Sequence, residues 1–288
     1  MAVRRLPDLA PEQVTRLQDA LLANADALLR SALAVLDLGQ VALARSLAIL
    51  GLEESGKAIA VHERRVAMGS APDGATFRCD WLDELWASHE KKLQTVHRFL
   101  VMEPYWFDVQ PPDPEQNAAY LGTINSWSRR HDRSKQRGFY VELGRTGEVM
   151  TPEDVADEAA LREVIARVNQ IGWQLRLGEH LEGKRQDEQE AGVPPASDDD
   201  FAWFDQLGEA DDGDGGGDGG GDDRDFRAEL RQSMREGIPG EPLPNAAYRF
   251  NPSGTDKSSF RNLGRPGYEA ETRELLNLAG QLDEEGDG

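Results

Sequence analysis

Hydrophobic residues recur at intervals of three and four along the first two thirds of the chain, which is the spacing of one face of an α-helix. This pattern predicts five helices, over residues 11–36, 40–68, 80–101, 114–133 and 151–181. The second helix is apolar on nearly all sides, which is typical of a buried central helix. Weak alternation over residues 139–150 indicates a small hairpin or an ordered loop. We therefore predict an all-α bundle of about five helices within residues 8–182.

The last third of the chain has a different composition. Residues 183–288 hold 11 Lys and Arg against 26 Asp and Glu, and the net charge of the whole chain is −21. From Ala210 to Asp223 every residue after the first is Asp or Gly, and such a stretch has no apolar surface to bury. A short helix fits residues 224–236. We therefore predict a largely disordered acidic C-terminal tail, which either keeps the protein soluble or folds back over a basic patch as a phosphate mimic.

Charge and cysteine content narrow the class of protein. The acidic total argues against general duplex-DNA binding, because DNA phosphates are also anionic. The one cysteine, Cys79, allows no internal disulfide and fits a reducing cytoplasm. No apolar run approaches the ~18 residues that cross a bilayer, and the first residues lack the apolar core of a signal peptide. We therefore expect a cytoplasmic protein that contacts neither membrane nor duplex DNA.

Titratable side chains fall on the apolar stripes of three predicted helices. The second helix contributes a carboxylate and an ammonium three residues apart, and the third contributes a histidine with a lysine at the edge of the stripe. The fourth contributes a histidine, joined by a lysine if the helix extends by one turn. These residues are Glu54 and Lys57, His89 and Lys92, and His131 and Lys135. A buried charge without a partner costs several kcal/mol, on the order of 3–5, so inward-facing polar groups need partners among themselves.

These inward-facing groups admit two interpretations. In the first they form a structural network, in which Glu54 pairs with Lys57 and His89 is a core histidine with satisfied hydrogen bonds. In the second they form an active site, because a histidine that titrates near neutral pH, a carboxylate and several cations suit acid–base chemistry on a phosphodiester. RNA carries its own nucleophile, the 2′-hydroxyl, so this chemistry requires no metal.

A run of cations lies at the end of the fourth predicted helix. Residues 129–137 contain five permanent positive charges, on Arg129, Arg130, Arg133, Lys135 and Arg137. In an acidic protein such a run is a local basic patch suited to phosphate contact. It is equally a solvated helix end, where cations favour the helix dipole. Sequence motifs for zinc, di-iron, phosphate-loop and dinucleotide sites do not occur, so we predict neither a metal nor a cofactor.

Three segments, taken in order, resemble a known family. Residues 44–58 (ARSLAILGLEESGKA) lead an Ala- and Leu-rich helix into an acidic pair, a small residue, Gly and Lys. Residues 88–93 (SHEKKL) place His before two lysines, and residues 135–141 (KQRGFYV) place Lys before Gly, an aromatic residue and Tyr. Together these blocks resemble the AbiV family of bacterial abortive-infection proteins, over about residues 20–180.

The resemblance implies a HEPN-like helical bundle, a class with many metal-independent ribonucleases that work as dimers. It also implies phage defence, in which translation in the infected cell is blocked and a phage-encoded protein is the activator. We therefore predict a homodimeric effector whose partners are RNA or the translation machinery. The predicted catalytic residues are His89, His131, Glu54 and Lys57, and the predicted RNA-binding residues are Lys92, Arg129, Arg130, Arg133, Lys135, Arg137 and Tyr140.

Two alternatives to a nuclease stay open. No Arg in the chain precedes a His at the spacing typical of HEPN nucleases, which favours an effector that binds RNA or the ribosome without cleaving it. The other alternative is a structural helical module, whose polar network serves only to stabilise a dimer.

Overall fold

The computed structural model describes residues 5–106, 110–209 and 222–250. Helices dominate these residues, and the all-α, HEPN-like fold class is confirmed. The helices are α1 (Pro11–Asp37), α2 (Val41–Gly69), α3 (Asp80–Ala87), α4 (His89–Met102), α5 (Pro114–Leu121), α6 (Ile124–Phe139), α7 (Glu158–Ala191), α8 (Asp198–Glu209) and α9 (Asp222–Glu236). Strands β1 (Glu142–Leu143) and β2 (Val149–Met150) form the expected antiparallel hairpin between α6 and α7.

Helix α2 is the centre of the bundle, as its all-round apolar pattern predicts. It packs against α1, α4, α6 and α7, and its side chains are fully buried over several turns, as at Ile49, Leu52 and Ile59. Helices α1 and α2 are joined by a tight turn at Gly39, whose φ of 78° favours glycine. The groups of the candidate site that reach the core from α4 and α6 meet residues of α2.

Two predicted helices are each divided in two. The predicted helix over 80–101 breaks at Ser88, whose backbone is extended and whose Oγ accepts a hydrogen bond from Lys91 N at 3.2 Å, which caps α4. The predicted helix over 114–133 breaks at Gly122, which has a φ of 79°, before Thr123 caps α6. The apolar spacing continues across both breaks, so the periodic pattern does not reveal them.

The ends of the last two bundle helices also differ from the prediction. Helix α6 continues to Phe139, which brings Lys135 inside the helix. The capping box of Thr151 and Asp154 closes only a short 3-10 turn, Pro152–Val155, and α7 begins later, capped by Asp157. Helix α7 then runs to Ala191 rather than to residue 181.

A segment beyond α9 returns to the bundle. Residues 238–250, which we call the C-terminal strap, begin with an antiparallel bridge between Ile238 and Val193. Near the end of the strap, Tyr248 stacks on Phe77 with ring centroids 6.0 Å apart. The Asp- and Gly-rich run over 210–221 and residues 251–288, together a little under half of the predicted tail, lie outside the described residues. In the described ranges, no helix has both the length and the hydropathy needed to cross a membrane.

Candidate functional site

Glu53 is the carboxylate at which the three sequence blocks meet. Its side chain is 4% exposed, and Lys135 Nζ donates to its Oε1 at 2.5 Å. Its other oxygen, Oε2, is 2.5 Å from His89 Nδ1. The carboxylate comes from α2, the imidazole from α4 and the ammonium from α6, so residues distant in sequence form one group. We call Glu53, His89 and Lys135 the Glu53 cluster.

Small residues allow these helices to approach closely. A Cβ at Gly56 would overlap the main-chain carbonyl of Lys92, so α2 and α4 touch there backbone to backbone. A Cβ at Gly138 would overlap the Ala42 carbonyl and the Ser46 hydroxyl in the same way. Ser46 Oγ in turn donates to the main-chain carbonyl of Lys135 at 2.9 Å. The Gly residues of the first and third sequence blocks therefore set the spacing of the Glu53 cluster.

His89 is the exposed member of the Glu53 cluster. It is the first residue of α4, and its side chain is 57% exposed although Nδ1 is held by a buried carboxylate. A carboxylate on Nδ1 orients the ring and selects the tautomer that carries the Nδ1 proton. The other nitrogen, Nε2, is then free to exchange a proton with a bound substrate.

Two further lysines lie beside the Glu53 cluster. Lys57 donates to Glu54 at 2.5 Å and lies 5.7 Å from the centroid of the Trp86 ring, so the expected pairing of Glu54 with Lys57 is confirmed. Lys92 is 7% exposed. Burial, with a smaller contribution from the charge of Lys57, lowers the pKa of Lys92 from its ordinary value.

His131 occupies a different place from His89. Its Nδ1 is 2.9 Å from the main-chain carbonyl of Trp127, and the two rings are 4.0 Å apart. Burial lowers the pKa of His131 to about 4, so the ring is neutral at neutral pH. It faces a cavity of about 390 Å³ between α2, α5, α6 and α7. The structure therefore places the two predicted catalytic histidines in separate environments.

The cations of the basic run divide between core and surface. Lys135 is buried and bonded to Glu53 and to Asp132, the latter at 3.0 Å. Arg129 pairs with Glu90 of α4 at 3.6 Å, and Arg137 pairs with Glu142 of β1 at 3.2 Å. The exposed members of the predicted RNA-binding set are Arg129, Arg130, Arg133 and Tyr140. The surface of α6 is thus basic beside the buried charge cluster.

Sequence reasoning missed a second buried polar group, more than two turns further along α2. His62 Nε2 lies 2.9 Å from the Tyr105 hydroxyl, and the hydroxyl donates to Glu182 at 3.2 Å. Gln18 Nε2 lies 3.5 Å from His62 Nδ1. Burial lowers the pKa of His62 to about 4. The partners come from separate helices and a loop, so no local spacing could have revealed this chain of hydrogen bonds.

Arg176 is a further buried charge that the sequence pattern did not single out. Its guanidinium is fully buried and bonds Glu179 at 2.9 Å and Asp19 at 2.7 Å. Across the described ranges, no three His, Cys, Asp or Glu side chains are grouped so as to hold a metal ion. Among the described residues, the Glu53 cluster joins two buried charges to an exposed histidine.

Comparison with known proteins identifies one family. The AbiV model of the HEPN class matches residues 13–173. That span includes α1 to α6, the hairpin and the first half of α7, and it contains every member of the Glu53 cluster. No curated protein and no solved structure matches the chain.

Proposed function

The chain belongs to the AbiV family of abortive-infection proteins, and we propose that it arrests phage-infected bacteria by cleaving RNA and so blocking translation. The observation that carries this proposal is the geometry of His89, an exposed imidazole held at 2.5 Å by the buried carboxylate of Glu53. In this proposal the protein acts in the cytoplasm as a homodimer, and a phage-encoded protein activates it.

The reaction that suits this geometry is attack by the ribose 2′-hydroxyl. His89 Nε2 takes the hydroxyl proton, and the 2′-oxygen forms a bond to the neighbouring phosphorus. The bond from phosphorus to the 5′-oxygen breaks, and that oxygen takes a proton from water. The products are a 2′,3′-cyclic phosphate and a 5′-hydroxyl end.

The remaining residues have supporting roles in this step. Glu53 holds Nδ1 of His89, so that Nε2 is the nitrogen that accepts the proton. Lys135 compensates the buried charge of Glu53, which explains why this lysine is buried rather than displayed to phosphate. The surface arginines Arg129, Arg130 and Arg133 lie on α6 and attract the RNA backbone.

A second candidate function is a block of translation by binding alone. The favouring observation is that Glu53, Lys135 and Lys92 are buried and that Glu53 and Lys135 bond each other, as in a network that only stabilises the fold. The exposed arginines of α6 would then bind RNA or the ribosome without any acid–base step. A purely structural dimerisation module is the third possibility, and it predicts no effect on translation.

Cell-free translation followed by sequencing of RNA ends tests the proposal. Purified protein is added together with extract from phage-infected cells, which supplies the activator. We expect inhibition and new RNA ends with the full chain, and a loss of about 100-fold or more in their rate of formation for His89→Ala, the range for a general base. Lys91→Ala is the matched control, because Lys91 is an exposed neighbour on α4 that pairs with Glu84, and it should cleave normally.

The other outcomes separate the alternatives. Inhibition with intact RNA, unchanged in His89→Ala and weakened in Arg133→Gln, would replace the nuclease with the binding effector. New RNA ends that persist in folded His89→Ala would show that another residue is the base. Normal translation in the presence of infected-cell extract would contradict both forms of the proposal.

A further inference from the structure

The cavity beside His131 has the volume of a small-molecule site. Its volume of about 390 Å³ falls within the range of about 300–1,000 Å³ typical of ligand pockets. Apolar side chains line part of it, namely Ile49, Leu121 and Val164. Ile49 and Val164 come from α2 and α7, which pack against each other in the core.

Arginines and carboxylates both line the cavity, namely Arg45 and Arg130, and Asp157 and Glu163. Arg45 is 7% exposed, and its guanidinium donates to the Val155 carbonyl at 2.8 Å and faces Asp157 at 3.9 Å. Part of this guanidinium is thus used within the protein, while its Nε is buried with no hydrogen-bond partner among the described residues. Arg130 also lines the cavity but is exposed, and within the described ranges it has no ion pair. It is therefore the cation available to an anionic group of a ligand, such as a phosphate.

Two uncharged hydrogen-bonding groups and one carboxylate complete the lining. His131 is neutral at neutral pH, and because its Nδ1 donates to the Trp127 carbonyl, Nε2 is left as an acceptor. The Ser134 hydroxyl both donates and accepts, and the Glu163 carboxylate accepts. A ligand with both donors and acceptors around an apolar ring would satisfy this set, and a nucleobase has that character.

An exposed aromatic ring also lines the cavity. Tyr120 is 70% exposed, and the Arg167 guanidinium lies 5.6 Å from its ring centroid. Unstacked bases of single-stranded RNA are commonly held against such rings, and arginine planes add to the stacking.

The cavity lies close to the Glu53 cluster along the same two helices. Ile49 precedes Glu53 by four residues on α2, and His131 precedes Lys135 by four residues on α6. Residues four apart share a helix face and are separated by about 6 Å. The cavity and the Glu53 cluster are therefore about one helical turn apart along α2 and α6.

We propose that this cavity binds a single unstacked nucleotide of the RNA, with its base between the apolar wall and Tyr120 and its phosphate at Arg130. The identity of the ligand as part of an RNA rests on the proposed function. In this proposal the cavity is an RNA-binding site, and the cleavage step takes place outside it, at His89.

Titration calorimetry of the full chain with nucleoside 5′-monophosphates tests this site directly. We expect a nucleotide to bind, and Arg130→Gln to weaken it about tenfold through loss of one charge-assisted contact. Tyr120→Ala, an exposed position, should weaken the nucleotide and the bare nucleoside alike. Ala160→Leu, which places a larger side chain in the cavity, should abolish binding. Arg162→Gln is the control, because this exposed arginine pairs with Glu158 on the next turn of α7, and it should bind normally.

Several results would overturn the inference. The first is that none of the four nucleotides binds. The second is that inorganic phosphate competes for the site as strongly as a nucleotide does. The third is that nucleotide binding is unchanged in both Ala160→Leu and Tyr120→Ala. The inference and the proposed function fail separately. Nucleotide binding that survives in a protein that never cuts RNA would contradict only the nuclease, and RNA cleavage by a protein that binds no nucleotide would contradict only this site.

Discussion

At the scale of single residues, adjacent acids in this chain have opposite roles. Successive residues point about 100° apart around a helix, and so Glu53 faces the bundle while Glu54 lies at its edge with Lys57. The negative charge of Glu53 compensates the positive charge of Lys135, and removing either side chain would leave a buried charge unpaired. The difference between the two acids therefore lies in the helices that surround α2, which the local sequence does not specify.

The buried histidines make stability depend on pH. Burial is the main cause of the low pKa of His62, and the nearby Glu179 opposes it; for both His62 and His131 the folded value is about 4 against 6.5 for the ordinary side chain. Between pH 4 and pH 6.5 the unfolded chain therefore binds more protons than the folded protein does. The stability contribution is complete above pH 6.5 and is lost as pH falls towards 4, by about 3 kcal/mol for each histidine.

Urea unfolding followed by circular dichroism between pH 7 and pH 4 measures this loss. We expect the free energy of unfolding to fall steeply in the full chain and less steeply in His62→Gln, which cannot titrate. The double variant His62→Gln with His131→Gln should have the shallowest dependence. An identical slope in wild type and double variant would show that these rings do not stay neutral in the folded protein.

At the scale of elements, the contact between α2 and α4 depends on Gly56. An alanine in a helix interior is normally more favourable than glycine by about 1 kcal/mol. At this position the added methyl would overlap the Lys92 carbonyl and lie 3.2 Å from Val96 Cγ2. We therefore expect Gly56→Ala to lower the free energy of unfolding by about 1–3 kcal/mol and to move His89 away from Glu53.

Gly51→Ala on the same helix is the matched control for that prediction. A Cβ there would lie 3.3 Å from the Ala25 carbonyl, a tight contact that a small shift relieves, and its cost should be clearly smaller. Thermal unfolding measures the loss of stability, and the RNA cleavage rate measures the effect of moving His89 away from Glu53. A Gly56→Ala protein that is as stable as Gly51→Ala would contradict the close α2–α4 contact.

Some helices and strands could be predicted from the sequence, whereas others depend on features that the apolar pattern does not show. Apolar periodicity and the proline-marked start predict α1 and α2 to within a residue or two, and the hairpin follows from alternation around two glycines. The breaks at Ser88 and Gly122 depend on caps and backbone angles that leave the apolar spacing intact. The choice of Glu53 over Glu54 and the bond from His62 to Tyr105 depend on tertiary packing, so they could be seen only in the structure.

At the scale of the whole molecule, the folded unit extends beyond the span that matches the family. The match ends at residue 173, yet Tyr248 of the strap is 6% exposed and its hydroxyl bonds the Leu9 carbonyl at 3.2 Å. Arg249 pairs with Asp187 at 2.5 Å and accepts at its main-chain oxygen from Arg65 at 2.9 Å. The strap thus ties the segment before α1, α2 and the second half of α7 together.

The effect of a C-terminal truncation on stability therefore depends on whether it removes the strap. A chain that stops at residue 182 loses the end of α7 and the whole strap, and we expect it to be less stable by several kcal/mol, since replacing one buried aromatic ring by Ala alone costs about 3. Tyr248→Ala should show much of that loss within the full-length chain. A chain that stops at residue 250 keeps the contacts of the strap with the described residues, and we expect it to unfold at the same denaturant concentration as the full chain.

Because truncation at residue 182 also removes the strap, it is not a clean test of whether the acidic run folds back over the basic patch. Loss of activity after truncation at 182 would reflect unfolding, whereas deletion of residues 210–221 alone keeps the strap and removes only Asp- and Gly-rich sequence. If that run shields the α6 arginines as a phosphate mimic, its deletion should tighten RNA binding, and the gain should shrink at high salt because it is electrostatic. Equal affinity for RNA in both proteins at low salt would show that the acidic run does not cover the basic patch.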